Sequence, residues 1–272
     1  NSFPALDPTG AYEQYLDALG ENTPAIAAFF DAAESGVFPW TIPGVSEPIP
    51  SPVPDLLPQP PEVVDPVIPS EPEEPVSQFT TVDASYFDDA LFLGDSHTDG
   101  FHDYAGLGNA TYFTKNGLTV KDAMEKSFIE LDGKKVTLAE ALGTRQFGKV
   151  YILLGINEIG AYTAADWAAQ YKSLLDLVRE KQPDAVIFIQ SIFHTTQKKS
   201  DSSYFKNEVI NERNAAIAQL ADGKTIFYLD LNPLFDDENG ALCADYSGDG
   251  VHVRAPYYVQ WRDHLYQFGV VK

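Results

Sequence analysis

Residues 79–272 of this 272-residue chain predict an α/β fold, a three-layer sandwich with a central parallel sheet, and three observations carry that prediction. Short apolar runs recur at intervals and close on glycine or polar residues. Longer stretches of helical periodicity separate them. The runs themselves are almost continuously apolar, as in strands buried on both faces by helices.

The elements follow in order. Ala90-Leu91-Phe92-Leu93 is the first run and closes on Gly94. Ala110-Thr111-Tyr112-Phe113 is a weaker strand candidate. Phe128 to Leu138 reads instead as a small hairpin about Asp132-Gly133, a pair suited to a tight turn. Lys149 to Leu154 is the next strong run, and Ala185 to Ile189 and Thr225 to Leu229 complete the set. Helices are expected over Ala164 to Lys181, Asn207 to Leu220 and Pro256 to Phe268. In open sheets of this kind, ligands sit beyond the carboxyl ends of the strands, so chemistry is to be sought there.

Two other segments precede this domain. Residues 1–42 read as a helical segment in two pieces. Tyr12, Tyr15, Leu16 and Leu19 share a face before Gly20; Thr23 and Pro24 then open a second helix carrying Ile26, Phe29, Phe30 and Ala33. So small a hairpin buries little surface alone and is expected to dock on the larger domain. Residues 43–78 form an acidic Pro-rich linker. Twelve of the chain's 19 prolines lie between Pro43 and Pro75, favouring stiff, extended polyproline-II backbone.

Charge and composition narrow the function. The net charge is −22, and no Lys or Arg precedes Lys115, whereas the first 114 residues hold 19 Asp and Glu. The rest of the chain is near neutral. An acidic front half repels phosphate backbones, which argues against a nucleic-acid partner. No run approaches the ~18 apolar residues of a membrane span. The single cysteine, Cys243, leaves no intramolecular disulfide framework and no thiolate zinc site. Residues 1–4 show no basic-then-apolar leader, and a trimmed or mature form is expected. The linker's composition suits a domain held away from a cell envelope, so an extracellular or cell-surface location is expected.

Polar residues cluster at the predicted strand ends. Gly94-Asp95-Ser96-His97 follows the first strand, Asn116-Gly117 the second, Gly155-Ile156-Asn157-Glu158 the third, and Asp249-Gly250-Val251-His252 precedes the last helix. Over roughly residues 86–270 this set of four blocks resembles the SGNH hydrolases, the superfamily of GDSL-type esterases and lipases. The resemblance implies a flavodoxin-like sheet and a serine hydrolase. It implies Ser96 as nucleophile, His252 as general base and Asp249 as the residue orienting that base. It also implies an oxyanion hole of the Ser96 and Gly117 backbone N–H groups and the Asn157 side-chain amide. Elementary chemistry agrees: a serine hydroxyl needs a base to take its proton, and imidazole, with an ordinary pKa of ~6.5, accepts and returns one near neutrality.

Two positions depart from that family's pattern. His97 stands where leucine often follows the serine, and Glu158 where aspartate usually follows the asparagine. Both are candidates for contact with substrate; His194, after a later strand, is either a further such contact or a satisfied structural histidine. Asp245 to Gly250 imitates the start of a calcium loop, but Pro256 occupies the position that needs an acid. His97, Asp99, His102 and Asp103 read as polar rim residues rather than metal ligands, so neither metal nor cofactor is expected.

The expected substrate is a small acyl ester, O-acetyl on a carbohydrate or cell-envelope glycan foremost; Trp167, Tyr204 and Trp261 are possible sugar-stacking rings, although all three lie in segments where core packing is the default. An O-acyltransferase or lipase would use the same triad. A wall-binding or scaffolding role for residues 1–42 is the alternative of another kind.

Overall fold

The computed structural model describes residues 79–270, so the expected hairpin, its docking and the linker lie outside the described residues. Within this part, each strongly apolar run forms a strand. In chain order the elements are β1 (Ala90–Gly94), α1 (Ser96–Tyr104), β2 (Thr111–Thr114), α2 (Val120–Glu125), β3 (Ile129–Leu131), β4 (Lys134–Val136) and α3 (Leu138–Leu142). Then come β5 (Lys149–Leu153), α4 (Ala164–Lys181), β6 (Val186–Gln190), α5 (Gln197–Ser202), α6 (Asn207–Ala218), β7 (Ile226–Leu229) and α7 (Ala255–Leu265).

Five strands make one parallel sheet in the order β2-β1-β5-β6-β7. The three central strands are buried almost throughout, whereas β2 and β7 are half-exposed edges. β2 is the more exposed of the two edges and has threonine at both ends, which accounts for the weaker strand signal of residues 110–113. β3 and β4 form the separate hairpin, with Asp132 at φ 50° and Gly133 at φ 73° in the left-handed pair that a two-residue turn demands.

Alternation along each strand splits the core in two. Leu91, Leu93, Val150, Ile152, Ile187 and Ile189 face one side, where α2, α3, α4 and α6 pack. Phe92, Tyr151, Leu153 and Phe188 face the other, with α1 and α7. The expected three layers are therefore present. Strand register also aligns an aromatic row across the second face: Tyr112, Phe92, Tyr151, Phe188 and Phe227 stack successively with centroids 5.4, 4.7, 4.5 and 5.7 Å apart. Such pairs add about 0.5–1.5 kcal/mol each beyond burial.

The long helices fall where periodicity puts them, because apolar stripes mark them locally. Thr163 caps α4 through Asp166, and Pro183 follows its end. The short helices α1, α2, α3 and α5 were not anticipated; at five to nine residues they are too brief to show a period.

The strand order reverses between β1 and β5: the chain leaves β1 for β2 on one side, then crosses back to β5 on the other. At such a switch the loops after the two strands part and open a crevice at the carboxyl edge. Ser96 follows β1, and Asn157 follows β5.

Candidate active site

Ser96 is the first residue of α1, so the expected tight turn is a helix start. Asp95 caps that helix by accepting the His97 backbone N–H at 3.0 Å. A first-turn N–H has no acceptor within its own helix, and the aligned peptide dipoles favour negative charge beside it. Gly94 permits the geometry: a Cβ there would stand 2.0 Å from Thr98 Oγ1 and 2.7 Å from the Leu153 carbonyl oxygen. Only glycine lets α1 start this close to β5.

His252 reaches Ser96 from 156 residues away. Its Nε2 lies 2.8 Å from Ser96 Oγ, and its Nδ1 lies 2.7 Å from Asp249 Oδ2. Asp249 is fixed in turn by its other oxygen, which accepts the backbone N–H groups of Val251 and His252, each at 2.9 Å. Burial alone would raise the Asp249 pKa. Hydrogen bonds from the His252 ring and from those two N–H groups, with the attraction of the ring's charge, hold it well below the usual range. Ser247 stitches the same turn, donating to the His252 carbonyl at 2.7 Å and accepting from Gly250 N–H at 2.9 Å.

Asn157 lies on a short 3-10 turn, Ile156–Glu158. Its Nδ2 donates to Asp95 Oδ2 and to the Leu118 carbonyl, both at 3.2 Å. Those partners are the chain neighbours of Ser96 and Gly117, so the four sequence blocks converge at one place. Gly117 itself has φ +73° in the turn closed by the Leu118 N–H to Lys115 carbonyl bond of 3.0 Å. No heavy atom lies within 4 Å of a Cβ built on Gly117. Its backbone angle, as well as the expected approach of an oxyanion, asks for glycine there.

Contact of His97 and Glu158 with substrate does not match their burial, and of the two readings of His194 its surroundings fit the structural one. His97 is wholly enclosed, between Asp95 and the Val251 carbonyl, and is not a rim residue. Glu158 points inward, and its Oε2 accepts the Val120 N–H at 3.1 Å and Trp167 Nε1 at 2.9 Å. His194 is held between Asp236 Oδ2 and Asn211 Oδ1, each 2.7 Å away. Trp167 and Trp261 are core residues, the second donating to Gln190 Oε1 at 2.8 Å, and only Tyr204 of the three proposed stacking rings is exposed.

Several supporting residues have roles that no motif announces. Asp95 is the hub linking α1, His97 and Asn157. Arg213, fully buried on α6, donates to the carbonyls of Glu158 at 2.7 Å and Gly155 at 3.3 Å, fixing the Asn157 turn from below. Asn214 clamps the Ile192 N–H and carbonyl at 2.8 and 2.9 Å. The available signal was spacing: Ile210, Arg213, Asn214 and Ile217 share the buried face of one helix.

A cavity of about 360 Å³ adjoins the acid side of the site, lined among others by Thr196, Lys199, Ser247, Asp249 and Gly250. Among the described residues no group of three or more His, Cys, Asp or Glu is placed to hold a metal ion. None of the described helices is long and apolar enough to cross a membrane.

A family model described as the GDSL-like Lipase/Acylhydrolase family matches residues 92–258. No curated protein matches the chain. Similar solved structures include a GDSL-like lipase from Bacteroides thetaiotaomicron, at 20% identity and TM-score 0.51 over 65% of this chain and 85% of that one. A protein from Streptococcus pneumonia, provisionally described as a platelet activating factor, matches at 22% identity and TM-score 0.51 over 66% and 84%. A provisionally assigned acylhydrolase from Bacteroides fragilis matches at 18% and 0.51 over 65% and 84%. These likenesses are of fold.

Proposed function

The chain belongs to the GDSL-like lipase and acylhydrolase family and is a carboxylic ester hydrolase, and from that premise we propose that it removes small acyl groups, O-acetyl foremost, from a glycan through a serine acyl-enzyme. The observation carrying this reading is the continuous run from Ser96 Oγ through the His252 ring to Asp249, at 2.8 and 2.7 Å.

In this mechanism Ser96 Oγ attacks the ester carbonyl carbon while its proton passes to His252 Nε2. Asp249 accepts a hydrogen bond from the Nδ1–H throughout, which keeps the Nε2 lone pair directed at the serine and favours the imidazolium that forms. The carbonyl oxygen becomes an oxyanion, received by the N–H groups of Ser96 and Gly117 and by Asn157 Nδ2. Both Asn157 bonds are long enough for a full negative charge to compete for the amide. Collapse breaks the bond to the sugar oxygen, which leaves with the proton from His252. Water, deprotonated by the same ring, then cleaves the acyl-enzyme and frees Ser96.

The preference for a short acyl group rests on the surface. The large exposed hydrophobic residues of the described part are Tyr104, Tyr162, Tyr204 and Val259, three of which carry a hydroxyl and suit a polar ligand better than a lipid tail. The mixed lining of the cavity beside Asp249 suits a hydroxyl-rich ligand better than a hydrocarbon. The acidic Pro-rich segment supports action outside the cell or at its surface.

Hydrolysis of p-nitrophenyl acetate, butyrate and octanoate, with acetate release from an acetylated polysaccharide, tests the reading in wild type and Ser96→Ala. Activity that declines with chain length and vanishes in the variant is expected. Octanoate turned over faster than acetate would overturn the small-acyl assignment, and an active Ser96→Ala protein would overturn the nucleophile.

A further inference from the structure

His97 has an acceptor at each ring nitrogen and no access to water. Its Nδ1 lies 3.3 Å from Asp95 Oδ1, and its Nε2 lies 3.1 Å from the Val251 carbonyl oxygen. A neutral imidazole carries one proton. Whichever nitrogen lacks it would set a lone pair against a lone pair, in a fully buried place where no solvent relieves the conflict. Turning the ring over would set carbons against both oxygens. A second ring proton satisfies every atom.

We propose that His97 is held as an imidazolium at neutral pH and acts as a positioning residue, bracing the turn that carries Ser96 to the turn that carries His252. The proposal rests on the serine-esterase reading for its effect on rate. Asp95, at one end of the brace, is the chain neighbour of the serine and also accepts Asn157 Nδ2; Val251, at the other end, is the chain neighbour of the base. The His97 and His252 rings lie 4.8 Å apart, and Phe193 closes the far side edge-on at 5.1 Å.

The charged and titratable groups facing the ring are Asp95 from the β1–α1 junction and Asp249 and His252 from the loop before α7. Burial alone would lower the His97 pKa. The hydrogen bond and charge of Asp95, the Val251 carbonyl and the charge of Asp249 outweigh burial and raise it. A raised value means the brace is complete below the ordinary pKa of ~6.5 and is lost as pH rises through the folded-state value. Alignment of His252 on Ser96 therefore weakens on the alkaline side.

The test is a ring-nitrogen NMR spectrum of the full-length wild-type protein, labelled with ¹⁵N-histidine and assigned with His97→Gln, beside pH profiles of kcat/KM for wild type, His97→Leu and His97→Gln. Protons on both His97 nitrogens at pH 7 are expected. In the variants kcat should fall about 10- to 100-fold with KM little changed, and the alkaline decline should disappear. A bare Nδ1, as a proton resting on Asp95 would leave, overturns the proposal. So does a variant profile identical to wild type. Should His97→Leu fail to fold by circular dichroism, His97→Gln, which keeps one donor, supplies the profile. A wild-type protein inactive on every ester would sink the esterase reading instead. The brace would then be decided by the ring protons and by whether the His252 Nδ1 proton signal shifts in the variants.

Discussion

Replacing Asp249 with Asn changes one atom of the proposed catalytic array, and the structure fixes the orientation of the new amide. Asp249 Oδ1 accepts two backbone N–H groups at 2.9 Å, and Oδ2 faces His252 Nδ1 at 2.7 Å. An asparagine that keeps both backbone bonds must place its carbonyl oxygen at the first position and its NH₂ at the second. Flipped, it would aim an NH₂ at two N–H donors and lose about two hydrogen bonds, each worth about 1 kcal/mol. In the favoured orientation the amide donates to Nδ1, so the ring proton moves to Nε2. That nitrogen can then no longer accept from Ser96 Oγ. A wrong tautomer in a Ser-His-Asp array costs about 10,000-fold in kcat, equivalent to about 5.4 kcal/mol. The side chain is more than half exposed and both backbone bonds survive, so folding should change little. Steady-state hydrolysis of p-nitrophenyl acetate, with thermal melting as the folding control, makes the comparison. A well-folded Asp249→Asn protein within tenfold of wild type would refute the tautomer argument and with it the proposed role of Asp249.

Asn157→Ala should lower kcat about 100- to 1,000-fold with KM nearly unchanged, since the amide is needed for the oxyanion rather than for ground-state binding. Saturation kinetics separate the two constants, and a loss confined to KM would contradict the assignment. Gly117→Ala meets no steric obstacle, but its φ of +73° should cost about 1–2 kcal/mol in urea unfolding, together with a reduced kcat. Burial of His194 alone would lower its pKa, but Asp236 and Asn211 raise it above the usual value. The stabilisation from that contact is thus present below ~6.5 and lost as pH rises through the folded-state pKa. Asp236→Asn should shrink this alkaline loss, read as melting temperature from pH 6 to 9, and an unchanged slope would count against the pair.

Local chemistry made much of the protein legible in one dimension. A strand buried on both faces must be apolar throughout, so β1, β5 and β6 are visible as runs; the edge strand β7 is visible because its own residues are all apolar or aromatic, and an amphipathic stripe marks α4, α6 and α7, with a threonine cap on α4. β2 was faint because three of its four residues are partly exposed, against two in the other edge strand β7, and threonine stands at both of its ends. The blocks around Ser96, Gly117, Asn157 and Asp249–His252 were legible through their resemblance to a family pattern, four short blocks in a set order at the strand ends. Asp249 and His252, three residues apart, could even be paired from spacing.

What the sequence by itself determined was therefore the order of elements, the strand ends and the residues with chemistry to offer. The tertiary structure alone decided which way the side chains face. Ser96 meets His252 across 156 residues because β1 leads into one turn and α7 is preceded by another at the same sheet edge. The same packing turns His97 and Glu158 inward, where polarity in the sequence had suggested a surface, and decides between the two readings of His194. It also buries Arg213 beneath the Asn157 turn. A polar residue type does not report its own burial: whether it faces water or braces a loop depends on acceptors supplied by distant segments, and those meet only when the chain is folded.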